Sequence, residues 1–480
     1  MNLSIRKSST TTEKENIVIL TGPSAKIDSF SFSKQERAFV QKQVKDDKKT
    51  IEINRFSNWV FVQVLEIKGD LNKSLENARK AGNGVGSRLN SLKVAEALVF
   101  DDGVDHALVL AFLEGMMLGS YQFLKYRKEA AKEKNTLQTL ELSSKTVSRK
   151  DTESLKIVVD ATCRARDLVN EPVIYLTATQ LAKEFQKMGK EAGFEVEVLN
   201  KSKIETLKMG GLLAVNYGSV EPPTFTIMEW KPRKPVNKKP FILVGKGVVY
   251  DTGGLSLKPT ANSMDMMKCD MAGAAAVGCA MYAVAKANLN IHVIALVPAT
   301  DNRPGGNAYT PGDVIKMYSG LNVEVLNTDA EGRMILGDAL AYAKQYNPEL
   351  VMDFATLTGA AVAAIGQYGT VCMGTADEKI KNGLKESGNH VHERLVEFPF
   401  WDDYDELIKS DVADIKNIGG PNGGAITAGK FLARFVDYPW MHFDIAGPAF
   451  VKGADSYRGK NGTGVGVRLL FDYLRKRANK

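Results

Sequence analysis

The sequence has few cysteines and histidines for its length. Its 480 residues include four cysteines with no C-x-x-C spacing, so a disulfide framework is excluded and a reduced, cytoplasmic chain is expected. We find no secretory signal at the start and no run of about 18 apolar residues, so no membrane span is expected. The five histidines form no H-E-x-x-H motif, which disfavours a histidine-ligated zinc protease.

Two further catalytic motifs are missing. The sequence contains no G-x-x-x-x-G-K-[ST] run and no G-x-S-x-G run, so neither a P-loop nor serine-hydrolase chemistry is expected. The glycine-rich stretch 418–424 lacks the P-loop lysine, and we predict a flexible loop near the site there.

The charge is unevenly distributed along the chain. The formal net charge is +7, and residues 1–150 hold 25 basic and 18 acidic side chains against 38 of each in residues 151–480. Lysine clusters such as Lys42, Lys45, Lys48 and Lys49 could contact phosphates, as could the stretch 125–134. These lysines are interleaved with acids, which favours a solvated surface, so DNA binding by this part is kept as the alternative function.

The pattern of apolar segments indicates an α/β fold. A chain of this length exceeds the ~250–300 residues at which one core stops growing, so two domains are expected. After residue 150, short apolar runs alternate with helical stretches, which is typical of a sheet covered by helices on both faces. The predicted strands are 194–198, 225–228, 241–244, 291–297, 323–326, 350–354 and 441–445.

The first third of the chain is less regular. We predict a helix near residues 107–127 and a linker or exposed strand in the polar segment 129–150. Helical spacing over 154–170 predicts a helix that leads into the second domain, with the boundary near 150–160.

Acidic residues follow several of the predicted strands, where ligands bind in such folds. Asp251 and Lys246 lie in a glycine-rich run, Asp270 opens a helix of small residues, and Asp329 and Glu331 precede another helix. Each acid alone could be a helix cap or a surface residue. Together the four carboxylates carry a charge that two divalent cations would neutralise. Oxygen ligands suit Mg²⁺ and Mn²⁺, and Zn²⁺ also accepts carboxylates.

The motifs of the second domain, taken in order, identify a family. Asn327-Thr328-Asp329-Ala330-Glu331-Gly332-Arg333-Met334 resembles the signature of the leucyl aminopeptidases, the cytosol aminopeptidase family. The resemblance covers about residues 160–480. Other blocks that are similar to the family are 166–170, 245–247, 250–254, 258–259, 270–275, 355–360 and 442–447.

The resemblance implies an architecture and an activity. It implies a smaller N-terminal α/β domain at 1–150 for accessory or oligomerisation roles, a linker helix at 151–170, and a larger catalytic metallopeptidase domain at 171–480. The catalytic domain would be an α/β/α sandwich with a central mixed sheet. The implied enzyme is a cytosolic leucyl aminopeptidase that serves peptide catabolism, forms a homohexamer and hydrolyses peptides with a free N-terminus.

The resemblance also implies a site with two divalent ions per subunit, Mn²⁺ or Zn²⁺, with Mg²⁺ or Co²⁺ as alternatives. The ligands implied for one metal are Lys246, Asp251, Asp270 and Glu331, and those for the other are Asp251, Asp329 and Glu331. Lys258 and Arg333 are similar to the two catalytic residues of the family. Lys258 would donate to the developing oxyanion, and Arg333 would hold a bicarbonate that shuttles the proton.

The pocket for the first side chain of the peptide is implied in the same way. Its residues would be Met267, Thr356, Leu357, Gly359 and Ala446, which are small or apolar and favour Leu or other apolar residues. Lys258 and Asp270 lie twelve positions apart, one more than is common in the family. We assign the extra residue to the loop 260–265, which leaves the pocket position open between Met266 and Met267, and we interpret Asp265 as a surface acid or one that supports the ligands. Two-metal hydrolysis of phosphate esters remains a distant alternative.

Overall fold

The computed structural model describes residues 3–8, 16–24 and 30–479 of the chain. Two compact units are present, Met1–Cys163 with Gly453–Gly459 and Arg164–Lys452 with Lys460–Lys480. Each contains helices and its own large sheet, so the predicted two-domain α/β class is confirmed. The predicted boundaries at residues 150 and 170, and the accessory role of the first domain, stay predictions.

The first unit is built on a sheet with the strand order β1-β6-β5-β2-β4-β3. Its strands are β1 Ser4–Lys7, β2 Ile17–Thr21, β3 Thr50–Asn54, β4 Trp59–Val64, β5 Glu96–Asp101 and β6 Thr139–Ser143. Its helices are α1 Lys34–Lys45, α2 Leu71–Ser91, α3 His106–Gly119 and α4 Ala130–Glu133, and α5 Arg149–Asn170 begins in it. All neighbouring strands are parallel except β3 and β4.

Two predictions for this unit need correction. Helix α3 ends at Gly119, eight residues before the predicted end at Arg127, and Ser120 follows as its C-cap. The segment 129–150 is not a linker, because its strand β6 lies between β5 and β1 and buries Leu140 and Leu142. Polar residues alternate with these leucines. The segment is therefore polar in overall composition although its strand lies inside the sheet.

The second unit contains the remaining elements. Its helices are α6 Ala178–Ala192, α7 Lys201–Thr206, α8 Gly210–Asn216, α9 Ala272–Lys286, α10 Glu331–Ala343, α11 Gly359–Ile365, α12 Glu378–His390, α13 Asp403–Glu406, α14 Gly424–Ala433 and α15 Val467–Ala478. Its strands are β7 Glu195–Leu199, β8 Thr224–Trp230, β9 Phe241–Gly245, β10 Gly247–Asp251, β11 Val293–Asn302, β12 Val314–Lys316, β13 Asn322–Glu324, β14 Leu350–Ala355, β15 Thr370–Gly374, β16 Leu395–Glu397, β17 Ile415–Lys416, β18 Trp440–Asp444, β19 Phe450–Val451 and β20 Asn461–Gly462. No helix in the described residues is long and apolar enough to cross a bilayer.

The central sheet of this unit has the order β16-β15-β18-β14-β9-β11-β8-β7, and β10 pairs with β11. The strands β18, β14, β9 and β11 are parallel, whereas β8 and β15 run against their partners, so the sheet is mixed as predicted. The side chains of β9, β11 and β14 are buried throughout. Parallel strands bring their carboxyl ends to one edge, and this edge carries the acidic residues.

The predicted strand 323–326 does not belong to the central sheet. Strand β13 forms a separate small sheet with β12 and β17, in the order β12-β13-β17. Val323 and Val325 are fully buried, which explains why the segment reads as a core strand. An apolar run does not indicate which sheet its strand joins, because the partner strands come from distant parts of the sequence.

A buried aspartate fixes the helix that starts at the acidic edge. Asp338 lies in the middle of α10 with no exposed surface. Its carboxylate accepts hydrogen bonds from the main-chain N–H of Leu212 at 2.9 Å and of Tyr318 at 2.8 Å. The side chain therefore ties α10 to helix α8 and to the turn between β12 and β13.

We expect Asp338→Ala to lower the free energy of unfolding by about 2–4 kcal/mol, because two buried N–H groups lose their acceptor. Burial raises the pKa of Asp338 to about 7, from an ordinary value of 3.8. The folded state then binds the proton more tightly than the unfolded state, so the stability from this group falls as pH rises from about 4 to about 7. The cost of the substitution is therefore larger at pH 5 than at pH 8.

Urea denaturation at pH 5 and pH 8 measures this difference. The control is Asp437→Ala, which removes an exposed acid paired with Lys344 next to the C-terminal end of α10. An exposed pair contributes at most about 1 kcal/mol. Equal losses for the two variants would contradict the anchoring role of Asp338.

Candidate metal centre

Four carboxylates converge at the carboxyl edge of the central sheet. Asp251 ends β10, Asp270 precedes α9, and Asp329 and Glu331 lie at the start of α10. One carboxylate oxygen from each of Asp251, Asp329 and Glu331 lies within 4.8 Å of the others. Asp251, Asp270 and Glu331 are 3% exposed or less, so these acids share a site shielded from water.

Two lysines pair with the same acids. The Nζ of Lys246 lies 2.8 Å from Oδ1 of Asp270 and 2.9 Å from Oε1 of Glu331. The Nζ of Lys258 lies 2.9 Å from Oδ2 of Asp251 and 2.5 Å from Oδ1 of Asp329. Burial lowers the pKa of each lysine, but the neighbouring carboxylates outweigh burial and raise it above its ordinary value.

Burial and mutual repulsion oppose ionisation of the acids. Burial raises the pKa of Asp329 to about 7, and Asp251 acts in the same direction. The pKa of Asp270 is raised well above its ordinary value by burial, although Lys246 opposes the change. The pKa of Glu331 is raised by burial and by Asp251. Further positive charge at this place would favour the ionised carboxylates.

The donor set fits divalent cations. Oδ2 of Asp270 and Oε2 of Glu331 are buried and accept no hydrogen bond from any residue that the structure describes. A buried carboxylate oxygen without a partner is costly, and coordination of a cation would satisfy it. The four acids could therefore provide oxygen ligands of the kind that Mn²⁺ and Zn²⁺ accept, and Lys246 could add a nitrogen ligand only after losing a proton.

Neighbouring polar groups orient the acids. Oδ1 of Asp251 accepts hydrogen bonds from Nδ2 of Asn302 and from the N–H of Gly253, both at 2.8 Å. Gly253 has a φ of +86°, a conformation that glycine adopts without strain. Oγ1 of Thr356 donates to Oδ1 of Asp270 at 2.8 Å, and the carbonyl of Thr356 accepts from Lys246 Nζ at 2.8 Å.

Arg333 lies two residues after Glu331 on α10 and is 7% exposed. Its Nη1 donates to the carbonyl oxygen of Asn417 at 2.7 Å. Its Nε is buried and has no hydrogen-bond partner among the described residues, so a donor remains for an anion. Burial lowers the pKa of Arg333 to about 10, and the guanidinium stays charged near neutral pH.

The predicted pocket residues lie on two sides of one buried acid. Oδ1 of Asp444 accepts from the N–H of Leu357 at 3.1 Å and of Ala446 at 3.2 Å. Its Oδ2 accepts from Oγ1 of Thr358 at 2.6 Å, just before Gly359 at the start of α11. Leu357 and Ala446 are half-buried and Gly359 is exposed, so these residues border open space next to Thr356 and Asp270.

Met267 comes from a different segment of the chain. It lies in the short 3-10 helix Met264–Cys269, directly before Asp270, and is half-buried. Asp265 in the same helix is exposed, as expected for a surface acid. The structure thus brings the predicted metal ligands together, with Lys258 among them and Thr356 at their edge.

Three supporting residues were missed by the sequence reasoning. Asn302, Asn417 and Asp444 hold Asp251, Arg333 and the 357–358 loop, respectively. Asn302 and Asp444 end strands of the central sheet, so the rule that sites form at strand ends could have indicated both. No comparable signal marks Asn417, which follows a two-residue strand.

Comparison with known proteins agrees with this arrangement. The catalytic-domain model of the cytosol aminopeptidase family matches residues 163–471. The chain belongs to the cytosol aminopeptidase family. A probable cytosol aminopeptidase of Chlorobaculum tepidum is 46% identical over 428 residues, which are 84% of each protein. That of Desulfotalea psychrophila is 41% identical over 423 residues, 85% of this chain and 83% of the relative.

Solved structures of two other proteins share the fold. The bottromycin maturation enzyme BotP in complex with Mn has a TM-score of 0.85 and 28% identity, over 97% of this chain and all of that one. A mutant of tomato leucine aminopeptidase has the same TM-score and identity, over 99% of this chain and 96% of that one. This member of the cytosol aminopeptidase family is thus an aminopeptidase hydrolase, and its acidic cluster is the candidate metal centre.

Proposed function

We propose that this aminopeptidase removes Leu and other apolar residues from the N-terminus of peptides by hydrolysis with two divalent cations. The observation that carries the proposal is the convergence of four acids and two lysines at one edge of the sheet. Lys246, Asp251, Asp270 and Glu331 would hold one cation. The cluster of Asp251, Asp329 and Glu331 would hold the other, and the distances among these three acids support that set.

The cations define the reaction class of the proposal. When bound, two divalent cations polarise a carbonyl group and lower the pKa of water. Mn²⁺ or Zn²⁺ are the proposed ions, with Mg²⁺ and Co²⁺ as alternatives. Lys246 is charged beside the acids alone, so it must lose a proton to become a ligand, and nearby cations favour that loss.

The chain's own residues supply the other parts of the mechanism. Lys258 lies beside Asp251 and Asp329, and this position supports a role as hydrogen-bond donor to the peptide carbonyl oxygen as negative charge develops on it. Arg333 has an unpaired buried donor and is proposed to hold bicarbonate. When bound, bicarbonate supplies a base for proton transfer.

The proposed substrate selectivity has two sources, the acidic cluster and the pocket beside it. The acids, with cations bound, would provide a place for a free α-amino group. Thr356, Leu357, Gly359 and Ala446, with Met267, form the proposed pocket for the first side chain. These residues are small or apolar, so the pocket favours an apolar side chain.

We expect purified protein with Mn²⁺ to hydrolyse leucine p-nitroanilide and to leave the N-acetylated compound intact. Leu and Met substrates should exceed Asp substrates by about tenfold or more in kcat/KM, because an apolar pocket leaves a carboxylate without partners. Rates across aminoacyl p-nitroanilides with Mn²⁺, Zn²⁺, Mg²⁺ and Co²⁺ measure both preferences.

Metal removal supplies the matched control. Treatment with a chelator should abolish hydrolysis, and added Mn²⁺ should restore it in the same sample. A rate that survives metal removal would refute the metal mechanism, and cleavage of the N-acetylated compound would refute the exopeptidase assignment.

The cytoplasmic location and the homohexamer also belong to the proposal, and both rest on the family. DNA binding by the N-terminal domain does not belong to it. One lysine of the basic cluster, Lys49, pairs with Glu66, and Arg88 of the same domain pairs with Glu52.

A further inference from the structure

A single buried asparagine contacts both halves of the proposed machinery. Asn417 follows β17 and has no exposed surface. Its Oδ1 accepts hydrogen bonds from the N–H groups of Leu326 at 2.9 Å and of Asn327 at 3.3 Å. Its Nδ2 donates to the carbonyl of Asn327 at 2.7 Å. One amide group thus holds two consecutive residues of the segment that leads to Asp329.

The main chain of Asn417 makes the second connection. Its carbonyl oxygen accepts the hydrogen bond from Nη1 of Arg333, and its N–H donates to the carbonyl of Glu324 at 2.9 Å. Glu324 ends β13, so Asn417 is anchored on the small sheet that it extends. The position of the Arg333 guanidinium is therefore tied to the segment that carries two proposed metal ligands.

Beyond the last paired residues of β13 and β17, the side chain of Asn417 makes the hydrogen bonds that main-chain pairing would otherwise make. The register of β13 with β17 ends at Glu324 and Lys416, and the amide of Asn417 continues it in side-chain form. Thr328 is fully buried and hydrogen-bonds to Gly253 and Ser256. Leu326 is 39% exposed and Asn327 is half-buried, however, so packing alone gives these two residues little restraint. Asp329 comes two residues later, and a small shift of Asn327 would move its carboxylate.

We propose that Asn417 is a positioning residue that fixes the 326–331 ligand segment and Arg333 relative to each other. Its hydrogen bonds within the described part of the chain reach none of the proposed ligand side chains, so it acts through those two groups. This inference rests on the proposed function, because it assigns the segment to metal binding and Arg333 to catalysis.

The test is Asn417→Ala, measured for metal binding and for turnover. We expect the dissociation constant for Mn²⁺, measured by calorimetry on metal-free protein, to rise about 10- to 100-fold, as is usual when a group supporting the ligands is lost. At saturating Mn²⁺, kcat for leucine p-nitroanilide should fall about tenfold with little change in KM, since the main chain of residue 417 still accepts from Arg333 but is no longer fixed to the ligand segment. The matched control is Asn322→Ala, an exposed asparagine on β13 of the same small sheet, which should behave like wild type.

A double variant separates positioning from general loss of structure. In an Arg333→Ala background, adding Asn417→Ala should leave kcat unchanged but should still weaken Mn²⁺ binding, because the two effects travel through different contacts. If Asn417→Ala does not fold, Asn417→Asp serves instead, since it keeps the acceptor for Leu326 and Asn327 and replaces the donor to the Asn327 carbonyl with a carboxyl oxygen.

The outcomes are distinct. Mn²⁺ affinity and kcat at the level of the Asn322→Ala control would overturn the inference, and so would kcat losses that multiply in the double variant. If wild-type protein binds Mn²⁺ but does not hydrolyse aminoacyl p-nitroanilides, the proposed function fails, while the Mn²⁺ affinity of Asn417→Ala still decides the role of Asn417.

Discussion

Glu331→Gln should lower kcat/KM for leucine p-nitroanilide by about 10³-fold or more. The substitution keeps the size of a fully buried side chain but removes the charge proposed to bridge both cations. Loss of a metal-based stabilisation of several kcal/mol corresponds to three or more powers of ten in rate. The expected cause is poor metal retention, so the Mn²⁺ content after dialysis should fall with activity.

The control for this variant is Asp265→Asn. Asp265 is an exposed acid in the 3-10 helix that leads to Asp270, so its loss changes the net charge by the same amount without touching the centre. Metal content and rate should stay at the wild-type level. Full activity of Glu331→Gln with two bound Mn²⁺ would show that Glu331 is not a ligand.

Lys258→Met should lower kcat by about 10²- to 10³-fold while KM and metal content stay close to wild type. The reason is that Lys258 is proposed to donate to the developing oxyanion, an interaction that is stronger in the transition state than in bound substrate. Steady-state kinetics at saturating Mn²⁺, with metal analysis of the same samples, distinguishes this loss from that of Glu331→Gln.

Lys452→Met provides the matched lysine control. Lys452 is exposed and donates to Oδ1 of Asn262 in the loop between Lys258 and Asp270. Its substitution should leave kcat unchanged. A Lys258→Met enzyme with normal kcat would remove Lys258 from the mechanism, and one that loses its metal would show that Lys258 supports the ligands instead.

The sequence predicted most of the fold because the central strands are short and almost wholly apolar. The runs 241–244 and 350–354 coincide with β9 and β14, where burial on both faces leaves Asp353 as the one polar residue. The prediction was wrong where a strand has the apolar pattern of the central sheet but pairs with strands of another sheet. Val323 and Val325 look like core strand residues, yet their segment pairs with β17, about ninety residues later in the chain.

The acids of the site were predictable for a similar reason. Asp251, Asp270 and Glu331 follow apolar strands or open helices, and glycines mark the close approaches around them. Asn417 was not predictable, because its importance comes from contacts with Asn327 and Arg333, which lie 90 and 84 residues away. An isolated asparagine between a lysine and an isoleucine carries no local signal for such a role.

The order of strands in the central sheet has a consequence for how the enzyme becomes active during synthesis. Strand β18, at residues 440–444, is inserted between β14 and β15, so the sheet closes only when nearly the whole chain is available. Pairing between segments this distant is intrinsically slow. Because Asp444 and Asn417 also brace the loop and the arginine beside the acids, a nascent or truncated chain lacks part of the centre. The contacts that hold this loop and this arginine are therefore complete only after residue 444 has been synthesised.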